Sequence, residues 1–245
     1  MQTTTTFRRM PLLTTNNVKT MKGSKLGYLT YILYMSPFNL NSKGINVCSH
    51  ASKGCASACL VDSGFGGLYT AVNDGRRNRT EYFLQDRVGF LNQLVTEIET
   101  AIRRNKGKAK VTIRLNGTSD IRYEKFKIKD NKNIFELFPN IQFYDYTKNH
   151  IRFETSLPKN YHLTFSRHET NNDKAMELLN KGVNVAMVFD KVPKKFNDFK
   201  VVNGDETDLR FLDKKGVVVG LRYKKLTKKD SDNTIAFTSG FAIAV

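Results

Sequence analysis

From residue 110 to the end of the chain, short apolar runs alternate with polar turns and amphipathic stretches. That alternation admits only a small set of α/β folds. Lys110-Val-Thr-Ile-Arg-Leu115 is short and rich in branched residues, as a strand should be, and Asn116-Gly-Thr-Ser-Asp120 follows as a polar turn. Ile134 to Phe138 reads as a short helix stopped by Pro139. Ile141–Tyr146 and Tyr161–Phe165 read as strands, and Asp173–Lys181 as a helix with Ala175, Leu178 and Leu179 on its apolar face and Gly182 as its cap. Val183-Asn-Val-Ala-Met-Val-Phe189 is almost continuously apolar, the pattern of a parallel strand buried on both faces. Phe199–Val202 and Gly216–Leu221 give two more short strands, and the tail from Ile235 to Val245 is apolar enough to pack. Strand, turn, helix, strand is the signature of parallel βαβ units. The expectation is a parallel (β/α) barrel, partial or complete, with a doubly wound open sheet as the alternative.

The first half of the chain supplies the start of that scaffold. Residues 1–25 read as a polar lead-in, with Thr3 to Thr6 mobile, and residues 26–245 as a single domain. Tyr28-Leu-Thr-Tyr-Ile-Leu-Tyr34 is the first strand, ended by Ser36-Pro37. Asp62-Ser-Gly-Phe-Gly-Gly67 is a glycine-rich loop without the spacing of a phosphate loop. Leu84, Val88, Leu91, Val95, Ile98 and Ile102 form one helical stripe. Arg76, Arg77 and Arg79 precede it, as a phosphate-binding cluster or a solvated helix start.

A chain of 245 residues is long enough for one well-buried α/β domain. Lys and Arg number 40 against 23 acids, a net charge of +17 that attracts polyanions and predicts salt-dependent association with nucleic acid or nucleotides. The plainer reading is lysine spread over a solvated surface. With no Trp in the chain, base stacking falls to Tyr or Phe. No run approaches a membrane span, and Met1 to Arg9 has no apolar stretch of a signal peptide, so no membrane association is expected and the compartment expected is the cytoplasm.

All three cysteines fall within Cys48-Ser-His-Ala-Ser-Lys-Gly-Cys55-Ala-Ser-Ala-Cys59, with His50 among them. Three thiolates can ligate three irons of a 4Fe–4S cluster and leave the fourth open. With His50 they can instead make a closed tetrahedral zinc site, although the spacing is not that of a zinc ribbon. The third alternative is metal-free thiols. In parallel α/β folds chemistry gathers at the carboxyl ends of strands. Those ends carry Asn116, Gly117, Ser119 and Asp120 as candidates for holding a cofactor, and Asp145, Ser166 and Arg167 as candidates for catalysis. His168 is a further acid–base candidate, whereas His162 alternates within a strand and His150 reads as a loop residue.

Lys22-Gly-Ser-Lys-Leu-Gly-Tyr-Leu-Thr30, the cysteine loop, Arg114-Leu-Asn-Gly-Thr-Ser-Asp-Ile121, Phe143-Tyr-Asp-Tyr-Thr-Lys148 and Tyr161-His-Leu-Thr-Phe-Ser-Arg167 resemble segments of the gene product 88-like proteins of phages and plasmids, as do Asn184–Phe189, Asn203-Gly-Asp205 and Gly216–Gly220. That resemblance implies a phage or mobile-element origin and names no activity. More distantly, a cysteine loop after the first strand and a glycine-containing turn after the second resemble the radical S-adenosylmethionine enzymes. Here the cysteines are more widely spaced, and the turn lacks Gly-Gly-Glu. This second resemblance implies a partial barrel, a cluster on Cys48, Cys55 and Cys59, and S-adenosylmethionine near Asn116–Asp120; joined to the net charge of +17, it gives an expected protein acting on a nucleotide or nucleic acid. The rival expectation is a non-enzymatic effector that binds nucleic acid or a host protein, with the cysteines as a zinc knot or as plain thiols.

Overall fold

The computed structural model describes residues 7–15, 22–38, 40–59, 69–225 and 230–245. The chain divides into two compact units, one of residues 1–49, 71–145 and 157–161, the other of residues 50–70, 146–156 and 162–245.

In the first unit, β1 (Leu13–Thr14) pairs antiparallel with β2 (Tyr28–Leu33). β2 pairs in parallel with β3 (Lys110–Arg114), which pairs in parallel with β4 (Gln142–Thr147). β1 lies within the segment expected as a polar lead-in. Glu97 explains its order: the carboxylate accepts the Leu12 N–H at 2.9 Å and the Leu13 N–H at 2.9 Å. Leu12 is fully buried.

The helical segment of this unit is two helices, α2 (Thr70–Gln85) and α3 (Arg87–Asn105), after a short α1 (Lys53–Ser57) in the other unit. Asp86 separates them by capping α3, its carboxylate accepting the Gly89 N–H at 2.8 Å. The cap resets the helical phase, so the expected stripe is displaced. Phe90, Leu91, Leu94, Ile98 and Ala101 face the core, while Val88 is 72% exposed. Arg79 is buried, and its Nε donates to the Pro11 carbonyl at 2.9 Å, so it is not part of a surface phosphate cluster. The capping box of α4 (Ile134–Leu137), between Asn133 and Glu136, fixes the expected short helix.

In the second unit the strand order is β5 (Tyr161–Ser166), β6 (Val185–Phe189), β9 (Val218–Arg222), β8 (Phe199–Asn203), β7 (Lys195–Phe196). All pairs are parallel except β7 with β8. α5 (Asn172–Asn180) ends in a Schellman motif: Val183 N–H donates to Leu178 O and Gly182 N–H to Leu179 O, with Gly182 at φ +83°. Its Ala175, Leu178 and Leu179 pack with Phe165, Val185, Met187 and Val218 as one core. The apolar tail folds as α6 (Asp230–Thr238) and β10 (Ala242–Ile243), and β10 pairs in parallel with β6.

The fold is therefore mixed α/β with mostly parallel strands. Among the described residues β1 pairs only with β2 and β7 only with β8, so the described strands do not close into a complete barrel. Among the described residues no helix is long and apolar enough to cross a membrane.

Candidate functional site

The strand-end residues expected to hold a cofactor converge in the first unit. Asp145 is fully buried on β4. Its Oδ1 accepts the Asn116 N–H at 2.8 Å, and its Oδ2 accepts Asn116 Nδ2 at 3.2 Å and the Tyr161 hydroxyl at 3.0 Å. Asn116 Nδ2 also donates to Ile121 O at 3.0 Å, and Asn116 Oδ1 accepts the Ser119 hydroxyl at 2.8 Å and the Ile121 N–H at 2.7 Å. Every polar atom of the Asn116 side chain is committed. The Asp120 N–H donates to Val47 O at 2.8 Å and the Gly117 N–H to Leu33 O at 3.0 Å. A Cβ on Gly117 would stand 2.8 Å from Leu33 O, so the turn lies against β2 closer than any side chain permits. Burial, and then the charge of Asp145, raise the Tyr123 phenol well above its usual value. The turn is a buried polar network whose members satisfy one another, which is the arrangement of a structural clamp.

A second network lies across β2, β3 and β4. Thr30 Oγ1 is 2.9 Å from Thr112 Oγ1 and 3.2 Å from the Tyr144 hydroxyl, all three buried. The β2–β3 register puts Thr30 opposite Thr112. Sequence alone marked these threonines only as strand formers.

In the second unit the carboxyl end of β5 organises the cysteine segment. Glu169 accepts the Ser52 hydroxyl at 2.7 Å and the Gly54 N–H at 2.8 Å. Burial raises its pKa, but the bonds from Ser52 and Gly54 outweigh it and hold the carboxyl below its ordinary value. Ser52 caps α1, its Oγ accepting the Cys55 N–H at 3.1 Å. A Cβ on Gly54 would meet Glu169 Oε1 at 2.8 Å, so glycine is required for the carboxylate to reach the backbone. Arg167 donates through Nη1 to Gly240 O at 2.5 Å and Phe241 O at 3.1 Å, and through Nε to Asn172 at 3.2 Å. Ser166 pairs with Ala186, and Ala242 pairs with Val188, so β10 takes over the side of β6 that β5 leaves. Arg167 is the joint between the two. Its Nη1 is engaged by two backbone carbonyls and its Nε by the Asn172 side chain, and the Ser166 carbonyl accepts Asn171 Nδ2 at 3.2 Å.

His168 is buried, with Nδ1 against Thr170 Oγ1 at 3.1 Å and a further bond to the His50 backbone. Burial first, then Lys148 and more weakly Arg167, hold its pKa down at about 4, against opposition from Glu169 and the bond to the His50 backbone. His162 is likewise held at about 4, by burial and then Arg210. Both rings are neutral at pH 7.

The boundary between the units falls between Ser49 and His50, which assigns Cys48 to the first unit and His50, Cys55 and Cys59 to the second. All three cysteines are thiols; Cys48 and Cys55 are buried and Cys59 half-buried. Cys55 packs with Ala58, Ala236, Phe241 and Ala242 in an apolar cluster. His50 is exposed. Among the described residues no three His, Cys, Asp or Glu side chains gather so as to hold a metal ion. The glycine loop at 62–67 lies outside the described residues. Ser52, Gly54 and Tyr161 were missed by sequence reasoning. For Ser52 the signal was present, a serine three residues before Cys55 at a helix start.

No curated protein and no solved structure matches the chain. A family model does, over residues 10–238, described as gene product 88. That match spans nearly the whole sequence, in keeping with the segments quoted above, and the chain belongs to the gene product 88 family.

Proposed function

We propose that this chain is a nucleic-acid-binding protein of its phage-type family, acting in the host cytoplasm, with the cysteines as buried thiols of the scaffold. The observation that carries the proposal is the charge, 40 Lys and Arg against 23 acids. A net +17 draws a polyanion by release of its condensed counterions. The strand-end candidates support a binding role over a catalytic one. Asn116, Asp145 and Arg167 are engaged by their own backbone and side-chain neighbours. The packing of Cys55 among Ala236, Phe241 and Ala242 supports a thiol role. Fluorescence anisotropy of a labelled DNA duplex tests the reading. Binding that weakens steeply with salt is the expected result, and the absence of binding at low salt would overturn it.

A second reading draws on one observation, that the cysteine segment follows β2, the first parallel strand. It makes the protein a partial barrel of the radical S-adenosylmethionine kind, with an iron–sulfur cluster on Cys48, Cys55 and Cys59. It stands second because no group of three His, Cys, Asp or Glu suited to a metal is found among the described residues. Anaerobic purification with iron and sulfide analysis decides between the two.

A further inference from the structure

We infer that the nucleic acid binds at the amino-terminal end of the β2–β3 pair, over the turn that leaves α3, through its phosphodiester backbone. This rests on the nucleic-acid reading above and goes beyond it by naming the surface. Lys25, Arg103, Arg104, Lys106, Lys108 and Lys110 are all exposed.

Backbone geometry brings them to one place. Tyr28 opens β2 opposite Lys110, which opens β3, and the Lys110 N–H donates to Gly27 O at 2.9 Å. The Lys110 ammonium lies 5.6 Å from the centre of the Tyr28 ring. α3 ends at Asn105, whose Nδ2 donates to the Tyr31 hydroxyl at 2.8 Å and whose carbonyl accepts the Lys108 N–H at 2.9 Å. Gly107, at φ +75°, turns the chain there. Lys25 sits in the turn just before Gly27, where the Gly27 N–H donates to Ser24 O at 3.0 Å.

Acids are scarce on these elements: α3 carries Glu97, whose carboxylate is occupied by the Leu12 and Leu13 N–H groups, and the exposed Glu99, and β2, β3 and the turn between α3 and β3 carry none. Residues 1–61 contain no Asp or Glu, and neither do residues 100–119. The helix dipole accounts for Arg103 and Arg104 in the last turn of α3, but its influence fades beyond that turn. Lys25, Lys106, Lys108 and Lys110 lie outside the helix and repel one another at a cost to the folded state. An external polyanion relieves that repulsion. A row of phosphates fits a set of separate exposed cations, because each ammonium or guanidinium can meet its own phosphate. The surface lies at the end of β2 and β3 opposite the Asn116 turn, so it is distinct from the strand-end candidates.

The test compares three full-length proteins on a short fluorescein-labelled DNA duplex: the wild type, a surface variant and a control. The surface variant carries Lys25→Ala, Arg103→Ala, Lys106→Ala and Lys108→Ala. The control carries Lys191→Ala, Lys194→Ala, Lys195→Ala and Lys200→Ala, four exposed lysines of the second unit. The surface variant is expected to bind at least about tenfold more weakly at about 50 mM salt, with a log–log salt slope shallower by about 1 for each cation removed. Its melting temperature should match the wild type, and the control should keep affinity and slope. If wild type and surface variant bind alike while the control loses affinity, the assigned surface is wrong and the nucleic-acid reading stands. If the wild type does not bind at all, both are wrong.

Discussion

Asn116 and Asp145 hold each other through two parallel hydrogen bonds, backbone N–H to Oδ1 at 2.8 Å and Nδ2 to Oδ2 at 3.2 Å, in a site from which Asp145 is wholly excluded from water. The pair ties the turn after β3 to the strand beside it. Replacing Asp145 with Ala strands the buried Asn116 N–H and one of its amide protons. Loss of charge-assisted bonds and an unsatisfied buried donor together cost about 3 kcal/mol. Urea unfolding of D145A should show that loss. A midpoint equal to that of the wild type would mean that the pair contributes no net stability.

Glu169 is expected to guard Cys55. The carboxylate holds the Ser52 hydroxyl and the Gly54 N–H, and Cys55 follows Gly54 within α1. In Glu169→Gln the acceptor is weaker, and α1 should open more often. Alkylation of Cys55 by iodoacetamide, followed by peptide mass spectrometry, should run about tenfold faster, equivalent to about 1.4 kcal/mol of local stability. An unchanged rate would show that the apolar packing around Cys55 alone keeps it closed.

The two depressed histidines give a pH dependence of definite sign. His162 and His168 titrate at about 4 in the folded protein, lowered by burial first and then by Arg210 for the one and by Lys148 for the other. In the unfolded chain a histidine titrates at about 6.5. Their neutral burial costs nothing well above that value. As pH falls from 7 to 5 the unfolded chain takes up protons that the folded one refuses, and stability declines. The melting temperature should fall across this range, and His168→Gln should fall less steeply. Identical slopes for wild type and variant would exclude His168 from the effect.

Gly117 tests how closely the turn and β2 must approach. A Cβ there would stand 2.7 Å from Tyr34 Cδ1 and 2.8 Å from Leu33 O. Gly117→Ala should therefore destabilise by about 2 kcal/mol, as overpacking against backbone does. Gly107→Ala, with open space around it but φ +75°, should cost about 1 kcal/mol from its backbone conformation alone. Equal melting temperatures for the two variants would show that the contact at Gly117 relaxes.

The longer strands were legible in the sequence because each is a local pattern, whereas the two-residue β1 and β7 were not. Val183–Phe189 reads as a doubly buried parallel strand, and it pairs with β5 and β9 on its two sides. The phase of α3 was not legible, since one aspartate, Asp86, serves as cap and shifts the apolar face to Phe90 and Leu94. Order at Leu13–Thr14 also escaped, because it depends on Glu97, more than 80 residues away. At the strand ends the sequence marked Asn116 and Ser119 as candidates for holding a cofactor and Asp145 as a candidate for catalysis. It had no means to show that their bonds close on one another, which is a matter of distance and not of residue type. The cysteines posed the same problem in reverse. Closeness in sequence suggested convergence on a metal, whereas among the described residues no three metal-ligating side chains gather.

The most direct test of the central claim is the salt dependence of wild-type binding to a DNA duplex. If the six exposed cations each meet a phosphate, log affinity should fall linearly with log salt, with a slope of about −5. A flat dependence, or no binding at about 50 mM salt where such contacts are strongest, would contradict the account.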